Sequence, residues 1–398
     1  MSIRWNRHLI ILYDKQRGSL ICDALEQVIG SAFPGCDVVT VNDEGYLSAS
    51  NRFWRVKASR FYARNASFLI RWFSKLNEKK DTNRIKTERE AIMSETEGKL
   101  SFSERHSAAI GRMINIFKRF RPAVIVATNR YSLKLTLLAR KITGMDVKVV
   151  AVISDFALSG GFVRSGVDLF LVENESLKDG LMRCGVDRDK IVISGMPFVE
   201  RQSSSPSREE ARKSLGLSGN LPLVVVNGGD YCTATIKEHV DRLLKERGRY
   251  CMLVLTYGKS SIRRHYKKIA DESETEILFK QEPDYSLIFA AADIVVTLPD
   301  TQFVFSAFAS SIPVVLLDGI TVLEHEVYRY LVGNALVTPS KTADETYAAV
   351  EELLVDAERR KEMIGREQLY YRNQMKLSPF LTMQDYLAID APHSDGEE

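Results

Sequence analysis

Short apolar runs, each followed by a longer amphipathic stretch, recur along most of this chain. The runs are rich in Val, Ile and Leu, and polar or turn-forming residues end each one. They fall into two groups, at residues 7–14, 36–43, 121–129, 146–155, 167–174 and 190–197, and at residues 221–230, 250–259, 276–281, 292–299, 312–319 and 334–340. Short buried strands alternating with helices predict parallel sheets with helices on both faces. The fold class is therefore α/β, with two doubly wound, Rossmann-like domains.

One stretch shows this pattern within 26 residues and poses a question about function. The segment "ADIVVTLPDTQFVFSAFASSIPVVLL" (Ala292–Leu317) reads as a strand, a turn, a helix and a second strand. In such a unit the turn before the helix is where the phosphates of a ligand usually bind. Phosphate-binding turns are normally rich in glycine, whereas this one carries Pro299, Asp300, Thr301 and Gln302.

A polar segment divides the two groups of runs. The sequence "ERQSSSPSREE" (Glu200–Glu210) is rich in serine and is interrupted by proline, as linkers are. We therefore expect an N-terminal domain at 1–200, a linker at 201–213, a C-terminal domain at 214–375 and a polar tail at 376–398. Two domains of similar size predict a cleft between them in which a ligand binds.

Charge is distributed unevenly between the halves of the chain. Residues 1–150 hold 27 Lys and Arg against 14 Asp and Glu, and the remainder holds 28 against 38. The basic half is expected to meet an anionic partner, either a nucleic acid or a membrane surface.

The segment Asn51–Lys75 narrows that choice. It is basic, it contains no acidic residue, and on a helical wheel Trp54, Phe61, Phe68 and Trp72 share one face. A basic amphipathic helix with Trp and Phe on its apolar face suits an anionic membrane surface. Two alternatives remain, namely packing of the aromatic residues on the first domain and binding of single-stranded nucleic acid. No other nucleic-acid motif is present, so we expect no nucleic-acid partner.

Cysteine usage and hydropathy bear on the compartment. The five cysteines are scattered, which fits neither a disulfide framework nor a zinc site. No run approaches the roughly 20 apolar residues that cross a bilayer, and the N-terminus lacks the pattern of a signal peptide. The expected location is the cytoplasm, with peripheral attachment to the inner face of the membrane.

Several motifs together carry a family resemblance. Residues 149–198 resemble the N-terminal domain of monogalactosyldiacylglycerol synthases and bacterial diacylglycerol glucosyltransferases, which are related to the enzyme that adds N-acetylglucosamine in peptidoglycan lipid synthesis. The matching features of this part are "SD" at 154–155, "GVD" at 166–168, the strand end Val172–Glu175 and "SGMP" at 194–197. Further matches are "RPAVIVATN" at 121–129, "VVVNGGD" at 224–230, "YGK" at 257–259 and "IFAAADIVVTLP" at 288–299.

The resemblance implies the fold called GT-B and an inverting, metal-independent transfer of a sugar from a nucleotide sugar, most simply a UDP-sugar. It implies a lipid or lipid-linked acceptor on the N-terminal domain and no cofactor beyond the UDP-sugar as co-substrate. The nucleotide sugar would bind the C-terminal domain, where the resemblance places Gly228, Gly229, Lys259, Thr301 and Glu324. Glycines allow backbone groups to approach a ligand, and a lysine offsets the charge of a diphosphate.

Parts of the family pattern have changed in this chain. The two glycines of the phosphate turn are replaced by Asp300 and Thr301, and Asp300 brings a negative charge toward a diphosphate. Ser306 stands where the family has the carboxylate that binds ribose. Ser19 stands where it has a histidine base.

Because Ser19 replaces the histidine base of the family, the sequence does not decide which residues are catalytic. Asp155, at the end of a predicted strand, and Ser19 are the catalytic candidates, with Asp14 and His325 in reserve. Two functions follow, and related enzymes such as sugar-nucleotide epimerases remain a further alternative. The first is a membrane-associated glycosyltransferase. The second is an inactive relative that binds a membrane or a partner, in which Asp300 and Phe303 close the ligand site.

Overall fold

The structure of the chain is a computed structural model. It describes residues 8–13, 24–27, 37–42, 107–197, 206–217, 220–228, 234–245, 248–255, 277–280, 284–319 and 322–375. The chain forms two compact units. The main division falls between Val199 and Glu200, and the described residues from Asn373 onward group with the first unit. Several predictions lie outside the described residues, namely those for Asp14, Ser19, Gly229, Lys259, the basic segment 51–75 and the tail 376–398.

The first unit contains one parallel sheet. Its strands are β1 (His8–Tyr13), β2 (Asp37–Asn42), β3 (Val124–Ala127), β4 (Lys148–Ile153), β5 (Leu169–Val172) and β6 (Ile191–Ile193). They lie in the order β2-β1-β3-β4-β5-β6. The chain moves outward from β1 in both directions, so the carboxyl ends of β1 and β3 flank the point at which the strand order reverses. Ligands of doubly wound sheets bind at this point.

Apolar side chains cover both faces of this sheet. Leu9 and Ile11 of β1 pack on one face, whereas Ile10 and Leu12 pack on the other face. The second face is covered by Met113 and Phe117, which are fully buried. Because both faces are covered, the strands read as continuous apolar runs in the sequence.

Three helices of the first unit are α1 (Ser107–Phe120), α2 (Arg130–Thr143) and α3 (Glu175–Arg183). Asn129 begins α2, because its side chain accepts hydrogen bonds from the N–H groups of Tyr131 and Ser132. Asn174 begins α3 in the same way, with the N–H of Leu177 as donor at 2.9 Å. The family-like strand end Val172–Glu175 therefore has a structural role as a helix start.

The second unit contains the second parallel sheet. Its strands are β7 (Leu223–Asn227), β8 (Cys251–Leu255), β9 (Ile277–Lys280), β10 (Ile294–Thr297), β11 (Val314–Leu317) and β12 (Thr338–Ser340). Their order is β12-β11-β10-β7-β8-β9, the order of dinucleotide-binding Rossmann domains. The order reverses between β7 and β10. The structure confirms a strand in each of the apolar runs of the sequence, and it confirms two Rossmann-like domains.

Helices flank the second sheet. They are α4 (Arg208–Leu215), α5 (Ala234–Leu243), α6 (Tyr285–Ala291), α7 (Thr301–Ala309), α8 (Val322–Gly333), α9 (Ala343–Val355) and α10 (Ala357–Met375). The stretch Ala292–Leu317 forms β10, α7 and β11, as its pattern predicts.

A helix begins within the predicted linker at 201–213. Helix α4 begins at Arg208, because the Ser207 side chain accepts from the Glu210 N–H while the Glu210 carboxylate accepts from the Ser207 N–H. This reciprocal capping box satisfies two donors that a helix start leaves open. Arg208 then donates two hydrogen bonds to Asp293, at 2.8 and 2.7 Å, which ties α4 to the second sheet.

In the ranges that the structure describes, no helix is both long enough and apolar enough to cross a bilayer.

Candidate functional site

The carboxyl ends of β7 and β10 lie side by side where the second sheet reverses its order. Asn227 pairs with Thr297 in the register of the two strands, and both side chains are fully buried. The Asn227 side-chain amide donates to Thr297 Oγ1 at 3.2 Å, and this hydroxyl donates to the Leu298 carbonyl at 2.8 Å. The two strand ends are therefore fixed relative to each other beneath the edge where ligands of this fold bind.

Two predicted binding residues stand at this edge. Gly228 directly follows β7 and is buried. Thr301 is the first residue of α7, which follows β10, and it is 8% exposed. The structure therefore brings the segments of both residues to one point of the second sheet.

Asp300 occupies the start of α7. Its Oδ1 accepts a hydrogen bond from the Phe303 N–H at 3.2 Å, which makes it the N-cap of the helix. A carboxylate thus lies at the helix terminus, where backbone N–H groups and the helix dipole attract anions. In the sequence, Asp300 is only a charge of the wrong sign for a diphosphate. The structure shows that it also caps α7, so the helix starts without a glycine.

Phe303 does not take the place that the inactive-relative hypothesis gives it. Its side chain is 4% exposed, and its ring lies 4.9 Å from the ring of Phe289 and 6.0 Å from that of Tyr285. Both partners belong to α6, so Phe303 joins α7 to α6 as a core residue.

Strand β11, the next strand of the sheet, is followed by an aspartate that contacts a histidine of α8, a pair that the sequence did not indicate. Asp318 follows β11, and its Oδ1 lies 3.0 Å from Nδ1 of His325 in α8. The same oxygen accepts the Gly319 N–H at 2.9 Å. Burial raises the pKa of Asp318, but the hydrogen bond and charge of His325, the Gly319 N–H and the charge of Lys341 outweigh it, so the pKa is lowered overall. Asp318 is therefore a carboxylate at neutral pH.

Glu324, another predicted binding residue, adjoins this pair in the first turn of α8 and is half-buried. The turn at Gly319 packs closely on it: a Cβ at Gly319 would lie 2.6 Å from the Glu324 carbonyl carbon and 2.6 Å from the His325 nitrogen. Only glycine leaves room for this contact, so the end of β11 and the start of α8 are held together.

In the first unit, Asp155 lies beyond the end of β4, one strand from β3 at the carboxyl edge of the sheet. It is half-buried, and its Oδ1 accepts the N–H of Phe156 at 2.9 Å. At the end of β3, Thr128 donates through Oγ1 to the Leu12 carbonyl of β1 at 3.0 Å. Asp155 thus follows the carboxyl end of its strand, and a role in catalysis stays a prediction.

In the part of the chain that the structure describes, His, Cys, Asp and Glu side chains form no group of three or more that could hold a metal ion.

Comparison with known proteins places this geometry in context. Residues 54–198 match the family model described as Monogalactosyldiacylglycerol (MGDG) synthase. The chain is 20% identical over 248 residues to the processive diacylglycerol beta-glucosyltransferase of Staphylococcus carnosus, an alignment that covers 62% of this chain and 63% of that protein. The chain thus spans just under two thirds of this relative.

A second relative is the UDP-N-acetylglucosamine–N-acetylmuramyl-(pentapeptide) pyrophosphoryl-undecaprenol N-acetylglucosamine transferase of Caldanaerobacter subterraneus. It is 24% identical over 261 residues, covering 62% of this chain and 70% of the relative.

Solved structures share the fold. The crystal structure of Anabaena HepE in complex with UDP-glucose superposes with a TM-score of 0.58 at 11% identity, covering 96% of this chain and 98% of that one. At this identity the likeness shows the fold alone. The resemblance predicted from the sequence is confirmed: the chain has a GT-B fold and is a distant relative of the monogalactosyldiacylglycerol synthases and diacylglycerol glucosyltransferases.

Proposed function

We propose that the chain is a glycosyltransferase that moves a sugar from a UDP-sugar to a lipid or lipid-linked acceptor at a membrane surface. The observation that carries the proposal is the Rossmann strand order of the second sheet, whose reversal point has Gly228 and Thr301 at the ends of neighbouring strands. Enzymes named for this reaction are the relatives that the chain matches.

The second unit, predicted at 214–375, would bind the donor. Gly228 and Gly229 would let the backbone approach the nucleotide, and Thr301 would hydrogen-bond a phosphate. Lys259 would offset the charge of the diphosphate. Glu324 would accept hydrogen bonds from the hydroxyl groups of a sugar through its side-chain oxygens.

The first unit, predicted at 1–200, would bind the acceptor. Asp155 and Ser19 are its catalytic candidates, and both would hydrogen-bond the acceptor hydroxyl. The basic segment 51–75 would bring this unit to anionic lipid on the inner face of the membrane, where the acceptor resides. The reaction would be inverting and would need no metal.

The alternative, an inactive membrane or partner-binding module, has less support. It requires side chains that close the ligand edge, and Phe303 packs on α6 as a core residue instead. The named relatives are enzymes.

A transfer assay tests the proposal. Purified full-length protein is mixed with labelled UDP-glucose, UDP-galactose or UDP-N-acetylglucosamine, and with vesicles that contain diacylglycerol or undecaprenyl-pyrophosphoryl acceptors. We expect labelled lipid from at least one pair, and a rate about tenfold lower for D155N, as for loss of a side chain that positions the acceptor hydroxyl. D179N, an exposed carboxylate on α3, is the matched control. No labelled lipid from any pair would contradict the proposal.

A further inference from the structure

Asp318 and His325 form an oriented carboxylate–imidazole pair at the end of β11. The 3.0 Å contact joins Asp318 Oδ1 to His325 Nδ1. Because Asp318 is ionised, its oxygen can only accept, so Nδ1 carries the hydrogen. In the neutral imidazole, Nε2 is then the acceptor atom. Among the residues that the structure describes, Nε2 has no hydrogen-bond partner, and the His325 side chain is 31% exposed.

The backbone holds this orientation. Asp318 is anchored by the Gly319 N–H at 2.9 Å, and Gly319 packs on the backbone of Glu324 and His325 so closely that a side chain at this position would collide. The pair is therefore fixed from both sides, by the turn after β11 and by the first turn of α8. A base oriented by a carboxylate through its second nitrogen is the arrangement that activates hydroxyl groups in enzymes of unrelated folds.

The pair stands at the edge where the donor is proposed to bind. β11 neighbours β10 and lies two strands from β7. At a strand spacing of about 4.8 Å, the end of β11 is about 5 Å from that of β10 and about 10 Å from that of β7. A base must lie about 3 Å from the attacking oxygen, which in turn lies about 3 Å from the reacting carbon. A sugar whose diphosphate is held between β7 and β10 would thus place its anomeric carbon within reach.

We infer that His325, oriented by Asp318, is the general base of the transfer, supplied by the donor-binding unit. This inference rests on the proposed function. The acceptor oxygen forms a bond to the anomeric carbon while the bond from that carbon to the diphosphate oxygen breaks, and its electron pair leaves with UDP. The acceptor proton passes to His325 Nε2 and then to solvent. The pair would supply the general base at a site where Ser19 replaces the histidine base of the family, because a serine hydroxyl is not basic.

Other charged or titratable groups lie around the pair, among them Glu326 and Arg329, which pair with each other on α8. Lys341, which follows β12, acts on Asp318 through its charge, and Tyr328 of α8 has a raised pKa because of burial and the charges of Asp318 and Glu345. Glu324 is the neighbour of His325 in the sequence. Among the described residues, the ion-pair partner of His325 is Asp318.

The experiment compares H325Q, D318N and the control E326Q in the transfer assay above, with UDP binding measured by calorimetry. Glu326 is on the same helical turn and pairs with Arg329. We expect kcat to fall about a hundredfold or more in H325Q and about tenfold in D318N, with the KM for the UDP-sugar and the Kd for UDP changed less than about threefold. Added imidazole should restore part of the activity of H325A, which a purely structural role would not allow.

Each outcome decides a different point. Turnover of H325Q within about twofold of wild type, or a loss of UDP binding as large as the loss of kcat, overturns the inference and leaves the transferase proposal standing. The same holds if D155N abolishes transfer while H325Q does not, because Asp155 would then be the base. A wild-type protein that transfers no sugar contradicts the proposed function and this inference together.

Discussion

Asn227, at the end of β7, donates a hydrogen bond to Thr297, at the end of β10, and neither side chain is exposed to solvent. These residues are 70 positions apart in the chain. Their contact fixes the two neighbouring strand ends between which the strand order of the sheet reverses. A buried polar contact at this point is stronger than one in water and costly to leave half-made.

Removing the hydroxyl of Thr297 tests that contact. T297V keeps the shape but loses the hydrogen bonds to Asn227 and to the Leu298 carbonyl, so we expect the free energy of unfolding to fall by about 1–3 kcal/mol. T338V is the control, because Thr338 in β12 donates only a weak bond to the sulfur of Met363. Urea unfolding measures both. Equal losses in the two variants would show that the Asn227–Thr297 contact has no special weight.

Two substitutions of Asp300 separate its effect as a helix cap from the effect of its negative charge. D300N keeps a good N-cap and removes the negative charge, so UDP affinity should rise on the order of fivefold, since one charge at this range contributes about 1 kcal/mol in a solvated site. D300A loses the cap as well and should unfold about 1 kcal/mol more easily. Calorimetry and urea unfolding report the two effects. An unchanged UDP affinity in D300N would mean that the diphosphate lies elsewhere.

The buried carboxyl of Glu367 predicts a pH dependence of stability. Glu367 in α10 is fully buried, and neither of its oxygens has a hydrogen-bond partner of ordinary geometry in the described part of the chain. Burial raises its pKa well above the ordinary value of 4.5, although the Val314 N–H and the charge of Arg366 counteract this. The group is protonated in the folded chain at pH values where it ionises on unfolding. Its contribution to stability is complete below pH 4.5 and is lost as the pH rises.

E367Q should remove this slope. Thermal unfolding of E367Q and wild type should differ little near pH 4 and increasingly at pH 6 to 8, with E367Q the more stable. Each pKa unit between folded and unfolded states corresponds to about 1.4 kcal/mol. E362Q, an exposed glutamate on the same helix, is the control. Parallel curves for E367Q and wild type across this range would contradict a protonated Glu367.

The membrane role of the segment 51–75 is a prediction from sequence that charge reversal tests. R60E/R64E should weaken binding to phosphatidylglycerol vesicles by an order of magnitude or more, because each cation near an anionic surface contributes about 1 kcal/mol. R188E/K190E makes the same change of charge at exposed residues of the first unit. Sedimentation with vesicles measures both. If the two variants lose binding equally, only the net charge of the protein matters.

Much of the fold was predictable because the strands are buried on both faces. Residues such as Leu9–Leu12 and Val224–Val226 must then be apolar without interruption, which makes each strand visible locally. The capping box Ser207–Glu210 is also visible in the sequence, and it marks the helix start at Arg208.

The site was less predictable because it depends on contacts between segments. The hydrogen bond between His325 and Asp318 depends on the packing of the turn at Gly319 against α8, and the spacing of these residues in the sequence does not predict it. Likewise, Asp300 was read as a charge near a ligand, whereas its position as the N-cap of α7 follows from the backbone geometry of the turn.

Calorimetric titration with UDP in the absence of metal tests the central claim, that the reversal point of the second sheet binds the nucleotide of the donor. We predict saturable binding to the wild-type protein, binding that G228W abolishes, and normal binding in G365W. Gly365 has open space around it on α10, and circular dichroism will establish that both variants are folded. No binding of UDP at millimolar concentration, or equal binding by G228W and G365W, would contradict the account.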